Sequence, residues 1–160
     1  MTGYPAYRQE QFALGLLYQD FIADLLLCRL GFPVVQYASQ TYQQTFGESR
    51  SGVEIKFQGR LAETGNLWIE VGEKAHPRPG DYAPSGITAR PYDNAWLWVT
   101  GDFEHVYGLA VSTLRLLKPR YTLIKNKTET SIGFLLSSAD AQKYAAFVLA
   151  PTSPPPKMVT

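Results

Sequence analysis

An α/β protein built around a central antiparallel β-hairpin flanked by helices is the fold class that this sequence predicts, and three observations predict it. Apolar residues at 14, 17, 18, 21, 22, 25, 26 and 30 follow helical spacing. Two later runs, residues 52–58 and 66–74, alternate apolar and polar residues with a period of two. Further strand-like runs and a second capped helix follow them. At 160 residues the chain is long enough to bury about two-thirds of its unfolded surface around one core. One domain over residues 1–150 with a flexible Pro-rich tail, 151–160, is therefore expected.

Taken in order, residues 8–30 read as a long amphipathic helix stopped by Gly31 and Pro33. Residues 34–39 read as a strand, and a polar loop over 40–51 leads to the hairpin. In the first arm Val53, Ile55 and Phe57 alternate with Glu54, Lys56 and Gln58; in the second Leu67, Ile69 and Val71 alternate with Trp68, Glu70 and Gly72. Each arm thus has one core face and one polar face. The short connection between Gly59 and Gly65 favours antiparallel pairing. Symmetric pairing sets Glu54 opposite Glu70 and Lys56 opposite Trp68, with Cβ atoms of opposed residues about 5 Å apart. Four prolines and two glycines within 76–91 resist regular structure. Residues 95–100 and 106–111 read as strands around a turn, 112–117 as a short helix, and 121–124 and 133–136 as strands. Ser137 followed by Asp140 resembles a capping box opening a helix to about Leu149.

Composition excludes several classes. The single cysteine, Cys28, rules out an intramolecular disulfide, and its apolar neighbours suggest a buried thiol. The N-terminus lacks a basic region followed by an apolar one, and the longest apolar stretch is interrupted by Gln19, Asp20 and Asp24. Neither a secretory signal nor a membrane span is expected, and a cytoplasmic location fits. Dinucleotide and phosphate loops, zinc-protease and serine-hydrolase motifs are absent. Net charge is only +1, but residues 50–160 hold thirteen bases against ten acids, and Lys118, Arg120, Lys125 and Lys127 have no acid among them. Such a stretch suits phosphate contact, or simply a solvated basic edge.

Two carboxylates closing on one strand face repel unless a cation relieves them. A divalent metal held by Glu54 and Glu70 would do this, as would Lys56, Lys74 and water. The order helix, strand, hairpin and mixed strands, with GVEIKF, TGNLWIE and the closing EK, resembles the PD-(D/E)xK nuclease superfamily and its restriction-endonuclease-like fold, a three-layer core with a mixed sheet. The resemblance covers residues 10–110 in element order and 52–74 in motif. It implies a Mg²⁺- or Mn²⁺-dependent endo- or exodeoxyribonuclease acting on DNA, with Glu54 and Glu70 as metal ligands. The lysine expected two residues after Glu70 is Gly72, so Lys56 is the first candidate for that ammonium and Lys74 the second. Glu10 would complete the metal shell, and Arg50, Arg60, Arg78, Lys118 and Arg120 would contact the nucleic-acid backbone. A second alignment takes Glu54-Ile55-Lys56 itself as the (D/E)xK element, with Glu48 as the upstream acid. Rival readings are a catalytically inactive binding or scaffold domain on the same fold, and a metal-free glycosidase using the opposed acids. A homodimer is compatible with the sequence and not required by it.

Overall fold

The computed structural model describes residues 3–37, 41–42, 46, 48–76, 78–88 and 93–151, with the side chains of 3–9 and 11 left aside. Most of the expected tail, residues 152–160, and the end of the strand expected over 34–39 lie outside these. What is described is mixed α/β, with two four-stranded sheets. Helix α1 (Gly3–Leu30) presents Tyr18, Ile22 and Leu26, one face of a 3.6-residue period, each fully buried. It stops where the sequence predicts: the amides of Gly31 and Phe32 donate back to the Leu27 and Leu26 carbonyls. Cys28 is exposed on the far face, against the expectation of a buried thiol, because α1 buries a single stripe and leaves Leu27 and Leu30 half exposed as well. The strand expected over 34–39 is reduced, within the described residues, to one bridge between Gln36 and Ser49.

The first sheet has the order β1 (Val53–Phe57), β4 (Leu97–Gly101), β5 (Val106–Ala110), β8 (Phe147–Leu149). The second has the order β3 (Ala83–Pro84), β2 (Asn66–Glu73), β7 (Ser131–Ser137), β6 (Ile124–Lys125). One face of the first sheet, Val53, Ile55, Leu97, Val99 and Val106, packs on α1. Its other face, with Trp98, Tyr107 and Leu109, meets Leu67, Ile69, Phe134 and Leu136 of the second sheet. Helices α3 (Val111–Leu117) and α4 (Ser138–Tyr144) close this second core through Leu114, Leu117 and Ala141.

The central hairpin does not form. β1 pairs in parallel with β4, setting Glu54 beside Trp98 and Lys56 beside Thr100, whereas β2 pairs antiparallel with β7, setting Trp68 beside Leu135 and Glu70 beside Gly133. The connection holds one helical turn, α2 (Leu61–Thr64), closed by Gly65 in the left-handed region at φ 65°. That turn carries the chain out of one sheet and into the other, where a hairpin loop over the same connection would have returned it alongside β1. A polar link between the two arms survives through the Gln58 side chain. Its Nε2 donates to the Trp68 carbonyl and to Thr100 Oγ1, both at 3.0 Å, and its Oε1 accepts from the Trp68 amide at 3.1 Å. Gln58→Leu keeps the volume and leaves both Trp68 backbone groups unpaired, so a loss of about 2 kcal/mol is expected in urea unfolding.

Most remaining elements follow the pattern, while the strand expected over 121–124 forms instead as the two-residue Ile124–Lys125. β4 and β5 form the expected hairpin around 101–105, and Ser137 Oγ caps α4 by accepting from the Asp140 amide at 3.1 Å. The helix then ends at Tyr144 instead of 149, and residues 147–149 join β5 as an edge strand. Val148 and Leu149 are β-branched or large apolar residues that fit a pleated surface, and pairing with β5 outweighs continued helix. Among the described residues, no helix is long and apolar enough to cross a membrane.

Candidate functional site

The open edge of β1 is where charged side chains converge. A tight turn leads into it: Ser49 Oγ accepts from the Val53 amide and donates to the Val53 carbonyl, both at 2.9 Å. Ser51 Oγ ties the turn to Val35 and Pro33. From the other side Asn94 Nδ2 donates to the Ser49 carbonyl at 2.9 Å, and Trp96 Nε1 to the Ser51 carbonyl at 2.8 Å. Fixed at both ends, the turn sets Glu48 against the unpaired edge, where the Ile55 amide reaches its Oε2 at 3.4 Å.

Glu54 and Lys56 share a strand face because side chains alternate. The Lys56 ammonium contacts Glu48 Oε1 at 2.5 Å and Glu54 Oε1 at 3.1 Å, and lies 5.8 Å from the centre of the Trp98 ring. Glu54 is only 8% exposed. Burial pushes its carboxyl up to about 7; Lys56 works against that shift, while Glu48 and Asp93 add to it. Burial alone would lower the Lys56 pKa, but the Glu54 and Glu48 charges outweigh it and hold the ammonium above the ordinary lysine value.

No family model, curated protein or solved structure matches this chain. Its chemistry is therefore read from its own side chains. The arrangement gathered on β1 is that of the second alignment, Glu48 with Glu54-Ile55-Lys56.

The first alignment is not assembled. Glu54 and Glu70 lie in different sheets with different partners, so the opposed pair, and with it the expected shared ligation by Glu54 and Glu70 and the glycosidase geometry, loses its structural basis. Glu70 accepts from Ser85 Oγ and Ser131 Oγ, both at 2.6 Å, tying β2 to β7 and to the loop after β3. The position two residues on is glycine for a reason: the ladder with β7 is irregular between Glu70 and Gly72, and a Cβ at Gly72 would sit 3.0 Å from Tyr82 Cβ and 3.1 Å from Ile132 Cγ2. A side chain there would have to push Tyr82 and Ile132 back by a few tenths of an ångström. Lys74 is turned to other work, donating to the Arg78 carbonyl at 2.8 Å and lying 4.6 Å from the Tyr82 ring centre. Glu10 is exposed on α1, two turns before the fully buried Tyr18, and makes no ion pair among the described residues.

Of the expected backbone-binding residues, Arg50 lies exposed in the Glu48 turn. Arg60 is held by Glu63 at 2.9 and 3.0 Å. Arg78 is exposed after β2, and Lys118 and Arg120 form a 3₁₀ turn after α3. Asp93, whose charge reaches Glu54, carries no local motif; only the parallel pairing of β1 with β4 brings its loop beside Glu54, and that pairing spans some forty residues.

Glu48 and Glu54 supply hard carboxylate oxygens already gathered on one cation. That donor set fits Mg²⁺ or Mn²⁺, ions commonly held by one or two carboxylates with waters and substrate phosphate completing the shell. Among the described residues, no group of three or more His, Cys, Asp or Glu side chains is placed to hold a metal ion.

Proposed function

We propose that this chain is a divergent nuclease of restriction-endonuclease-like ancestry that hydrolyses DNA phosphodiester bonds with Mg²⁺ or Mn²⁺, and that it works in the cytoplasm. The observation that carries this reading is the contact of both the Glu48 and Glu54 carboxylates with the Lys56 ammonium at the unpaired edge of β1. Glu48 and Glu54 would hold the ion, which supplies Lewis-acid polarisation of the phosphate and acidifies an attacking water. Lys56 stabilises negative charge on the phosphate as it becomes five-coordinate. Glu54, ionised only as pH rises through about 7, must release its proton for this, so activity rises across that range. Arg50 extends positive charge along the same turn and suits contact with a phosphate on either side.

Cleavage of plasmid and of single-stranded DNA in Mn²⁺ tests the assignment. Glu48→Gln, Glu54→Gln and Lys56→Met are each expected to lower the rate by about a hundredfold. Glu70→Gln and Lys74→Met should cleave like the parent. Undiminished cleavage by Glu54→Gln would overturn the proposal.

A second reading, an inactive scaffold on the same fold, is favoured by one observation: the Lys56 ammonium already contacts both Glu48 and Glu54, where an ion would sit, and Glu54 keeps its proton to about pH 7. Titration calorimetry with Mn²⁺ separates the two, because an inactive scaffold shows no saturable heat.

A further inference from the structure

A second concavity, of about 540 Å³, lies between the end of α3, the 3₁₀ turn after it and the loop after β3. Its volume falls in the range of small-molecule sites. Ile87, Pro119 and Leu123 supply apolar wall, and Tyr121 an aromatic one. Tyr121 is held in place: its ring stacks on Phe134 at 5.0 Å between centres, and its hydroxyl donates to Asp140 Oδ2 at 2.8 Å. That leaves one ring face backed by the core while the residue lines the concavity.

The charge around it is one-sided. Arg115 and Lys118 line the concavity, and no carboxylate does among the described residues. Arg115 Nε donates to the Ile87 carbonyl at 2.6 Å, which fixes the guanidinium and leaves its terminal nitrogens without a partner among the described residues. Neither Lys118 nor the adjacent Arg120 forms an ion pair there, unlike Arg60 with Glu63 or Lys125 with Glu129. Cations at a helix C-terminus interact favourably with its dipole, which accounts for their tolerance. It does not account for an apolar, aromatic-walled hollow beside them. A planar guanidinium held at Nε, with no partner for its terminal nitrogens among the described residues, suits bidentate contact with phosphate.

We infer that this concavity binds a nucleotide, its base against Tyr121 and the apolar wall and its phosphate on Arg115 and Lys118. Lys118 is also one of the residues expected to contact a nucleic-acid backbone, but no lining residue belongs to the β1 cluster, so the inference stands whether or not that cluster cleaves DNA.

The test is calorimetric titration of the full chain with AMP, adenosine and inorganic phosphate, each without divalent metal. AMP is expected to bind saturably, and adenosine and phosphate at least about tenfold more weakly, because each makes only half of the contacts. Lys118→Glu should weaken AMP at least about tenfold through charge reversal at an exposed turn. Leu123→Asp, also at a partly exposed position, should weaken it comparably, and Glu54→Gln should leave it unchanged. A 5′-phosphorylated thymidine tetranucleotide that displaces AMP identifies the ligand as part of a strand; failure to displace it identifies a free nucleotide. Absence of saturable AMP binding, or AMP binding unchanged in both Lys118→Glu and Leu123→Asp, would overturn the assignment.

Discussion

Replacing Lys56 with methionine is expected to destabilise the protein by about 2–3 kcal/mol at pH 8 and by roughly half of that at pH 5. At pH 8 both carboxylates that contact the ammonium are ionised, and Glu54 sits in a site too dry to hold its charge alone. Removing one partner of a fully buried pair typically costs about 3–5 kcal/mol, because the remaining charge stays buried without compensation. The figure is lower here because the Lys56 and Glu48 side chains are 35% and 34% exposed, and water screens them. At pH 5 Glu54 carries its proton in the folded protein, so the substitution removes only the contact with Glu48. The ammonium itself does not titrate in this window. Its folded pKa is raised above the ordinary lysine value, so it stays charged throughout, and its own titration withdraws stability only in strong alkali. Urea unfolding at the two pH values reads the difference directly. Equal losses at pH 5 and pH 8 would mean that Glu54 does not depend on Lys56.

Local chemistry was legible in this sequence wherever a single segment decides the outcome. The helix stop at Gly31, the cap at Ser137, the β4–β5 hairpin and the alternation on both arms of 52–74 all depend on residues close in sequence. The pairing of those arms does not. Period-two alternation says which residues share a face and nothing about which strand lies alongside, and two glycines bounding a short connection suit a hairpin loop as well as the one-turn helix that is found. The Glu54 and Lys56 arrangement was visible because it needs only i, i+2 spacing on one strand. Its third member, Glu48, was visible only as the lesser alignment, since it reaches Lys56 through a turn held by Ser49, Ser51 and the distant Asn94. Glu70 shows the reverse case. An acid on a polar face looks chemical in sequence, yet two serine hydroxyls from Ser85 and Ser131 give it a structural duty that no local pattern announces.

Glu54→Gln should change how stability depends on pH more than any other substitution in the β1 cluster. A carboxyl whose folded pKa lies above its unfolded value takes up a proton on folding between the two. For Glu54 these values are 4.5 and about 7, so its contribution favours the native state at acid pH and is withdrawn as pH rises through that interval. At about 1.36 kcal/mol per unit, the full withdrawal is on the order of 3 kcal/mol. Glutamine cannot ionise and keeps the volume of the protonated acid. The variant should therefore match the parent near pH 4.5 and gain on it steadily, by up to about 3 kcal/mol at pH 8. A stability difference that stays flat from pH 4.5 to 8 would show that Glu54 ionises as freely in the fold as in the unfolded chain. The same experiment reaches the proposed function when Mn²⁺ is added. An ion held by Glu54 competes with its proton and stabilises only the ionised form, so Mn²⁺ should raise the melting temperature of the parent at pH 7.5 more than at pH 5.5. Glu54→Gln, with one ligand removed, should show little response at either pH. Stabilisation of both proteins alike would place any bound ion away from β1.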